Sequence, residues 1–265
     1  MSRVALVGLP YDAGSSFQRG PADAPSAIRT AFASPSSNLT TELGVDLARA
    51  SSRLHDAGDL ALAEGAAVEQ IEAGVAALLD QGFRPLALGG DHSVTYPLLR
   101  AFRGRYPRLT LLQVDAHPDL YDEFAGDRFS HACPFARILE AKLVTRLVQV
   151  GIRCMNAAQQ QQAERFGVEV HEMRSWAGPA SLRLEPPVYV SFDMDGVDPA
   201  FAPGVSHREP GGFTAREAIA LLHSVPAPIV GADMVELNPR KDPSGITAAL
   251  AGRLLKELVG RMLEG

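Results

Sequence analysis

Six short, mainly apolar runs constrain the fold of this chain most. They occupy residues 4–9, 85–88, 109–114, 143–150, 187–192 and 228–235 of 265. Each is too short for a long helix, and none alternates apolar with polar residues. Runs of this kind are strands buried on both faces, the pattern of a parallel sheet. Helical patterns lie between them. Val68, Ile71, Val75 and Leu78 fall on one helical face, with Glu69, Glu72 and Asp80 off it and Gly82 as a stop. A short helix is expected at 25–32 and another pattern at 214–223, and Ile246, Leu250, Leu254 and Leu258 repeat every fourth residue near the end. Residues 34–41 are rich in Ser and Thr and read as a surface loop. Strands alternating with helices predict an α/β protein whose mostly parallel sheet is covered on both faces. No repeat, low-complexity tract or linker divides the sequence, so one domain over 1–265 is expected.

Ligand sites in such sheets lie outside the carboxyl ends of the strands. The polar residues of interest here directly follow apolar runs. One run ends in Gly89-Gly90-Asp91-His92-Ser93, another in Asp115-Ala116-His117-Pro118-Asp119, and a third in Ser191-Phe192-Asp193-Met194-Asp195. An isolated Asp-x-Asp is ordinarily a turn, a cap or a solvated face. Four carboxylates at two buried strand ends repel one another unless a cation lies between them. If the chain stays extended, period-two alternation puts Asp115, His117 and Asp119 on one side, and likewise Asp193 with Asp195. With His92 that makes six candidate ligands, too many for one small ion plus a substrate. Two divalent ions cancel four carboxylates. Carboxylate and imidazole without thiolate favour Mn, with Fe, Co, Ni or Zn as substitutes, over Mg. A metal-dependent hydrolase is the simplest reading.

Other classes are disfavoured. A net charge of −6 gives no basic surface for nucleic acid. No stretch has the roughly 18–20 apolar residues that span a membrane, and the first apolar run is too short for a signal peptide. The two cysteines, Cys133 and Cys154, form neither a C-x-x-C pair nor a disulfide framework, which fits a reduced cytoplasmic protein. Neither a Walker loop nor a dinucleotide fingerprint occurs, and Ser93 and Ser191 lack a nucleophile elbow.

Taken together, the Gly-Gly-Asp-His-Ser, Asp-Ala-His-Pro-Asp and Ser-Phe-Asp-Met-Asp blocks resemble the signatures of the ureohydrolases, the family of arginase, agmatinase and their relatives. The last of these extends through Gly196-Val197-Asp198-Pro199. The blocks around Ser15–Pro21, Ser130-His131-Ala132, 202–207 and 231–239 look most like plant-type arginases. This resemblance implies a three-layer α/β/α sandwich, two Mn2+ ions and a homotrimer or homohexamer. It implies that His92, Asp115, Asp119 and Asp193 hold one ion and Asp115, His117, Asp193 and Asp195 the other, with Asp115 and Asp193 bridging. The substrate would be a small guanidine, cleaved to urea.

A guanidinium is cationic and a poor electrophile. A carboxylate must hold it over an activated water, and Glu236, closing the last apolar run, is the candidate in both chemistry and family motif. The leaving amine needs a proton. Asp119 is a candidate carrier, and His131 matches the family's loop histidine that exchanges protons with solvent. Tyr121 and His207 are the further candidate substrate-binding residues. Animal-type arginases carry Asn and Ser ahead of the loop histidine, where this chain has Asp127 and Phe129. Arginine is the leading substrate, with agmatine, guanidinobutyrate and a formimino acid open. Asp91 and Asp198 are either ligand-orienting groups or turn residues, while His55, His171 and His223 are expected at the surface or at caps.

Overall fold

A computed structural model describes residues 2–264. Eight strands form one sheet: β1 (Val4–Gly8), β2 (Leu54–Asp59), β3 (Arg84–Leu88), β4 (Thr110–Val114), β5 (Arg146–Ile152), β6 (Glu169–Glu172), β7 (Val188–Asp193) and β8 (Ile229–Val235). Every pairing is parallel, and the strand order is β2-β1-β3-β8-β7-β4-β5-β6. Seven α-helices lie among the described residues: α1 (Ala24–Phe32), α2 (Ala67–Asp80), α3 (Thr95–Ala101), α4 (Pro134–Glu140), α5 (Ala157–Phe166), α6 (Ala215–Ser224) and α7 (Ile246–Leu263).

Period-two alternation divides the strands between two cores. Leu86, Leu112, Val148 and Val190 pack with residues of α1, α6 and α7 on one face. Ala87, Leu111, Leu147 and Tyr189 pack with α2, α3 and α4 on the other. The result is the expected α/β/α sandwich. Caps fix two of the helices: Asn156 with Gln159, and Thr214 with Glu217, each form a reciprocal capping box.

Three local expectations are corrected. Strands β2 and β6 do not read as apolar runs, because both lie at sheet edges and neither contains a buried residue. The run at 143–150 enters the sheet later, as Arg146–Ile152, since Leu143 and Val144 precede the strand as buried loop residues. In α7 the buried face is Ala251, Leu254, Leu255, Leu258, Val259 and Met262, while Ile246 is exposed. A strict four-residue repeat drifts by about 40° per step around a 3.6-residue helix, so its first member leaves the core face.

The order of the sheet places the site. Strands β7 and β8, late in the chain, insert between β3 and β4. The ends of four adjacent strands therefore present His92, Glu236, Asp193 with Asp195, and Asp115 with its neighbours. The Gly89-Gly90 turn after β3 is sterically required, because a β-carbon at Gly90 would stand 1.7 Å from the Tyr11 carbonyl oxygen.

Candidate active site

The first acidic cluster is oriented by its own backbone. The His117 amide donates to Asp115 Oδ1 at 2.6 Å, the Asp195 amide to Asp193 Oδ1 at 2.7 Å, and the Ala116 amide to Asp195 Oδ1 at 3.1 Å. These bonds turn Asp115 Oδ2 and Asp193 Oδ2 toward His92. The His92 Nδ1 atom lies 3.1 Å from Asp115 Oδ2, 3.0 Å from Asp119 Oδ2 and 3.1 Å from Asp193 Oδ2. His117 Nδ1 lies 3.1 Å from Asp195 Oδ2 and 3.6 Å from Asp115 Oδ1. Asp115 thus faces both histidines, and His92–Asp115–Asp119 and Asp115–His117–Asp195 each form a cluster able to hold an ion.

The far side of the His92 ring decides what Nδ1 presents. Ser191 Oγ donates to Asp233 Oδ1 at 2.7 Å, so it accepts from His92 Nε2 at 2.9 Å. The Tyr189 hydroxyl donates to Asp233 Oδ2 at 2.8 Å. This network assigns the ring proton to Nε2 and leaves a lone pair on Nδ1. Nδ1 is buried without a hydrogen-bond partner and faces three carboxylate oxygens. Without a cation that lone pair attracts a proton: burial lowers the His92 pKa, but the surrounding aspartates outweigh it and raise it well above 6.5. A single proton serves one of the three oxygens; an ion serves all of them. Octahedral bonds of about 2.1 Å have edges of about 3.0 Å, which the observed separations match. The residues therefore fit a divalent ion.

The repulsion expected from sequence is present. Burial and then the charges of Asp195 and Asp115 push Asp193 well above the usual carboxylate range. Burial and Asp115 push Asp119 up to about 6. Asp115 is instead held low, because its histidine partners outweigh its burial. A cation among the carboxylates relieves this conflict.

Behind the acids runs a polar row not anticipated from sequence. Asp233, Ser191, Gln113 and Gln149 are in register across β8, β7, β4 and β5, and all are fully buried. Gln113 Nε2 donates to Asp115 Oδ2 at 2.7 Å, and Gln149 Nε2 donates to Gln113 Oε1 at 2.6 Å and to the Pro118 carbonyl at 2.7 Å. For Asp233, Ser191 and Gln113 the available signal was a lone polar residue inside an apolar run, two or three positions before a strand-end acid.

Glu236 and His131 form a pair. Glu236 Oε1 accepts from the His92 amide at 3.0 Å and from His131 Nδ1 at 2.8 Å. Both bonds fall on Oε1, which leaves Oε2 for a ligand. Burial lowers the His131 pKa, but the Glu236 charge and hydrogen bond outweigh it and raise it to about 9. Glu236 is lowered, since the His131 charge prevails over burial. His131 Nε2 reaches Ser16 Oγ at 2.8 Å. Glu236 and Asp119 also have left-handed backbones, with φ of 63° and 50°. Side-chain-bearing residues hold such angles only where the surroundings impose them.

These groups line one cavity of about 180 Å³, walled by His117, Asp119, Asp193, Asp195, His131 and Glu236 on the inside and by Ser16, Tyr121, Phe124, Cys154, Gln159 and His207 toward the rim. Tyr121 and His207 therefore lie at the cavity as expected. The His207 ring is 5.3 Å from His131, 5.8 Å from His117 and 5.6 Å from Phe17. Asp127 and Phe129 do not line it: Asp127 caps the Phe129 amide, and exposed Phe129 packs beside Tyr96. Asp198 is a turn residue that accepts from the amides of Ala200, Gly211 and Gly212. Asp91 is fully buried and ties Ser15 and Ser93 to the site, with its pKa pushed up to about 6 by burial and Glu236. His55 sits on exposed β2, His171 pairs with Glu169, and His223 pairs with Glu257.

A parallel sheet whose strand ends gather carboxylates and imidazoles into a cluster able to hold a divalent ion defines the class of α/β protein. The Arginase family model matches residues 2–260. Arginase 1, mitochondrial, of Arabidopsis thaliana is 42% identical over 97% of this chain and 80% of its own length. The solved arginase of Medicago truncatula superposes with a TM-score of 0.93 at 40% identity, over 98% of this chain and 87% of that one. The agmatine ureohydrolase of Thermoplasma volcanium superposes with a TM-score of 0.87 at 31% identity, over 99% and 90%. The chain belongs to the arginase family.

Proposed function

We propose that the protein is a manganese-dependent guanidino hydrolase, folded as one domain, that converts L-arginine and water to L-ornithine and urea. The observation that carries this reading is the unpartnered His92 Nδ1 among three carboxylate oxygens, two of them from Asp119 and Asp193, which line the same cavity as Glu236. His92, Asp115, Asp119 and Asp193 would hold one ion, and Asp115, His117, Asp193 and Asp195 the other. Six nitrogen and oxygen donors without sulfur favour Mn2+. Bound there, the ions supply charge neutralisation and activation of water as a nucleophile.

The chain's own residues do the rest. Glu236 Oε2 takes the guanidinium N–H groups, while the His92 amide and His131 hold Oε1 and so fix the carboxylate plane. Asp119, on the inner wall, carries a proton to the leaving amine. His131 restores protons from solvent through Ser16 Oγ. Tyr121 and His207 border the distal part of the substrate.

The second reading is agmatine to putrescine and urea. It is favoured by one observation: among the described residues, no Arg or Lys lines the cavity to pair with an α-carboxylate. Guanidinobutyrate stands behind it. Family membership supports a homotrimer or homohexamer, and two cysteines without a disulfide suit a cytoplasmic setting. Among the described residues no helix is long and apolar enough to cross a membrane. Urea release by Mn-loaded protein, measured side by side with arginine, agmatine and guanidinobutyrate, tests the proposal. Arginine is expected to give the highest kcat/KM; a higher value for agmatine selects the second reading, and no urea from any of them rejects both.

A further inference from the structure

His117 has a second ring nitrogen, and it faces away from the basin. Nε2 lies 3.8 Å from Glu209 Oε1. Ligand atoms of His117, Cys154 and Glu209 all fall within 4.8 Å of one another, and all three residues are half-buried, so an ion can enter from solvent. Cys154 and His117 also line the cavity.

This trio is built rather than incidental. Arg153 Nε and Nη2 donate to the Glu209 carbonyl at 3.0 and 2.7 Å. Its other donors reach the carbonyls of Gly151, Gly196 and Asp195, at 3.1, 3.3 and 2.6 Å. One guanidinium therefore locks the Glu209 loop to the ends of β5 and β7. The Cys154 amide donates to the Ala116 carbonyl at 3.1 Å, which anchors the cysteine beside His117.

We infer that His117 Nε2, Cys154 Sγ and the Glu209 carboxylate form a third cation site, specific for a thiophilic divalent ion such as Zn2+ or Cd2+. Thiolate, imidazole and carboxylate are zinc-type donors, and three protein ligands leave one position open to the cavity. Mn2+, a harder ion, keeps to the oxygen-rich basin. On binding, Cys154 releases its thiol proton and His117 its Nε2 proton to solvent. The thiolate and carboxylate would then balance one divalent charge, and the single negative charge of the His117 imidazolate would be shared with the inner ion. Cys133 is no alternative donor, because burial pushes its thiol up to about 12.

The site shares His117 with the proposed manganese pair but is independent of which reaction that pair supports. The test is titration of Mn-loaded protein with Cd2+, following the ultraviolet thiolate-to-cadmium charge-transfer band and protein-bound Mn. The expected result is a band that saturates at one Cd2+ per chain while Mn stays bound. The band should vanish in Cys154→Ser, persist in Cys133→Ala, and need about 10-fold or more Cd2+ in Glu209→Gln. Mn content in each variant confirms that its basin is intact. No band, a band that survives Cys154→Ser, or Mn loss in step with Cd2+ uptake overturns the inference, whatever the outcome of urea assays.

Discussion

At the inner end of the cavity, side chains sit at the ends of the four central strands, are bonded to backbone amides, and are backed by the buried row of Asp233, Ser191, Gln113 and Gln149. At the outer end, Ser16, Tyr121, Phe124, Cys154 and His207 come from loops and are partly exposed. The Tyr121 hydroxyl accepts at 2.6 Å from exposed Asn156. The inner groups are positioned by the fold itself, so changing one disturbs several others. The outer groups stand on loops, outside the strand pairing that holds the inner ones. On the proposed reading, reaction type and substrate choice fall to separate structural layers.

The largest expected effects divide the inner end itself. Asp193→Ala should lose most bound Mn together with urea release, beyond the loss of about 10³-fold that follows removal of one preorganised contact. Glu236→Ala should keep its Mn and lose about 10²–10³-fold in kcat/KM. Full metal and full turnover in the first variant, or unchanged kinetics in the second, breaks the assignment.

The Glu236–His131 pair gives a smaller, pH-dependent effect. His131 rises from 6.5 to about 9, so its stabilisation is complete below 6.5 and disappears as pH climbs through 9. Glu236 falls from 4.5, so its stabilisation is complete above 4.5 and is lost as pH drops through its lower folded value. The pair therefore stabilises most between pH 4.5 and 6.5, by about 1.5–3 kcal/mol for a buried charged hydrogen bond. The Tm gap between wild type and Glu236→Gln, measured without metal, should be widest in that window and close toward pH 9. A constant gap contradicts the pairing.

The smallest effect belongs to the rim. Tyr121→Phe removes the Asn156 bond and should shift KM by about 5-fold, the scale of one neutral hydrogen bond. Metal content and kcat should hold. Loss of Mn in this variant would show that the two ends are not separable.

The legibility of the molecule follows the same division. Acids that terminate an apolar run, such as Asp115 and Asp193, announce both the strand and the site, because burial and charge conflict within a few residues. Edge strands β2 and β6 were not legible, since exposure frees them from any apolar pattern. Asp233 and Gln113 were hidden inside apolar runs, where one polar residue looks like noise until the register aligns it with Ser191 and Gln149. The Glu236–His131 contact joins residues 105 positions apart, and only the sheet order brings them together. Cys154 and Gln159 reach the rim because β5 stands beside β4, a neighbour relation that local sequence does not encode.

The insertion of β7 and β8 between β3 and β4 also sets a timetable. A ribosome delivers His92 and the cluster at 115–119 long before 188–235 emerges. Until then β3 and β4 have no β8 or β7 to pair with, and the early ligands lack Asp193, Asp195 and Glu236. Closure of the sheet and completion of the basin are one late, non-local event. Ion capture would therefore certify a finished chain: a truncated product ending before β7 has His92 and Asp115 but no basin, and nothing to keep the two halves of its sheet together.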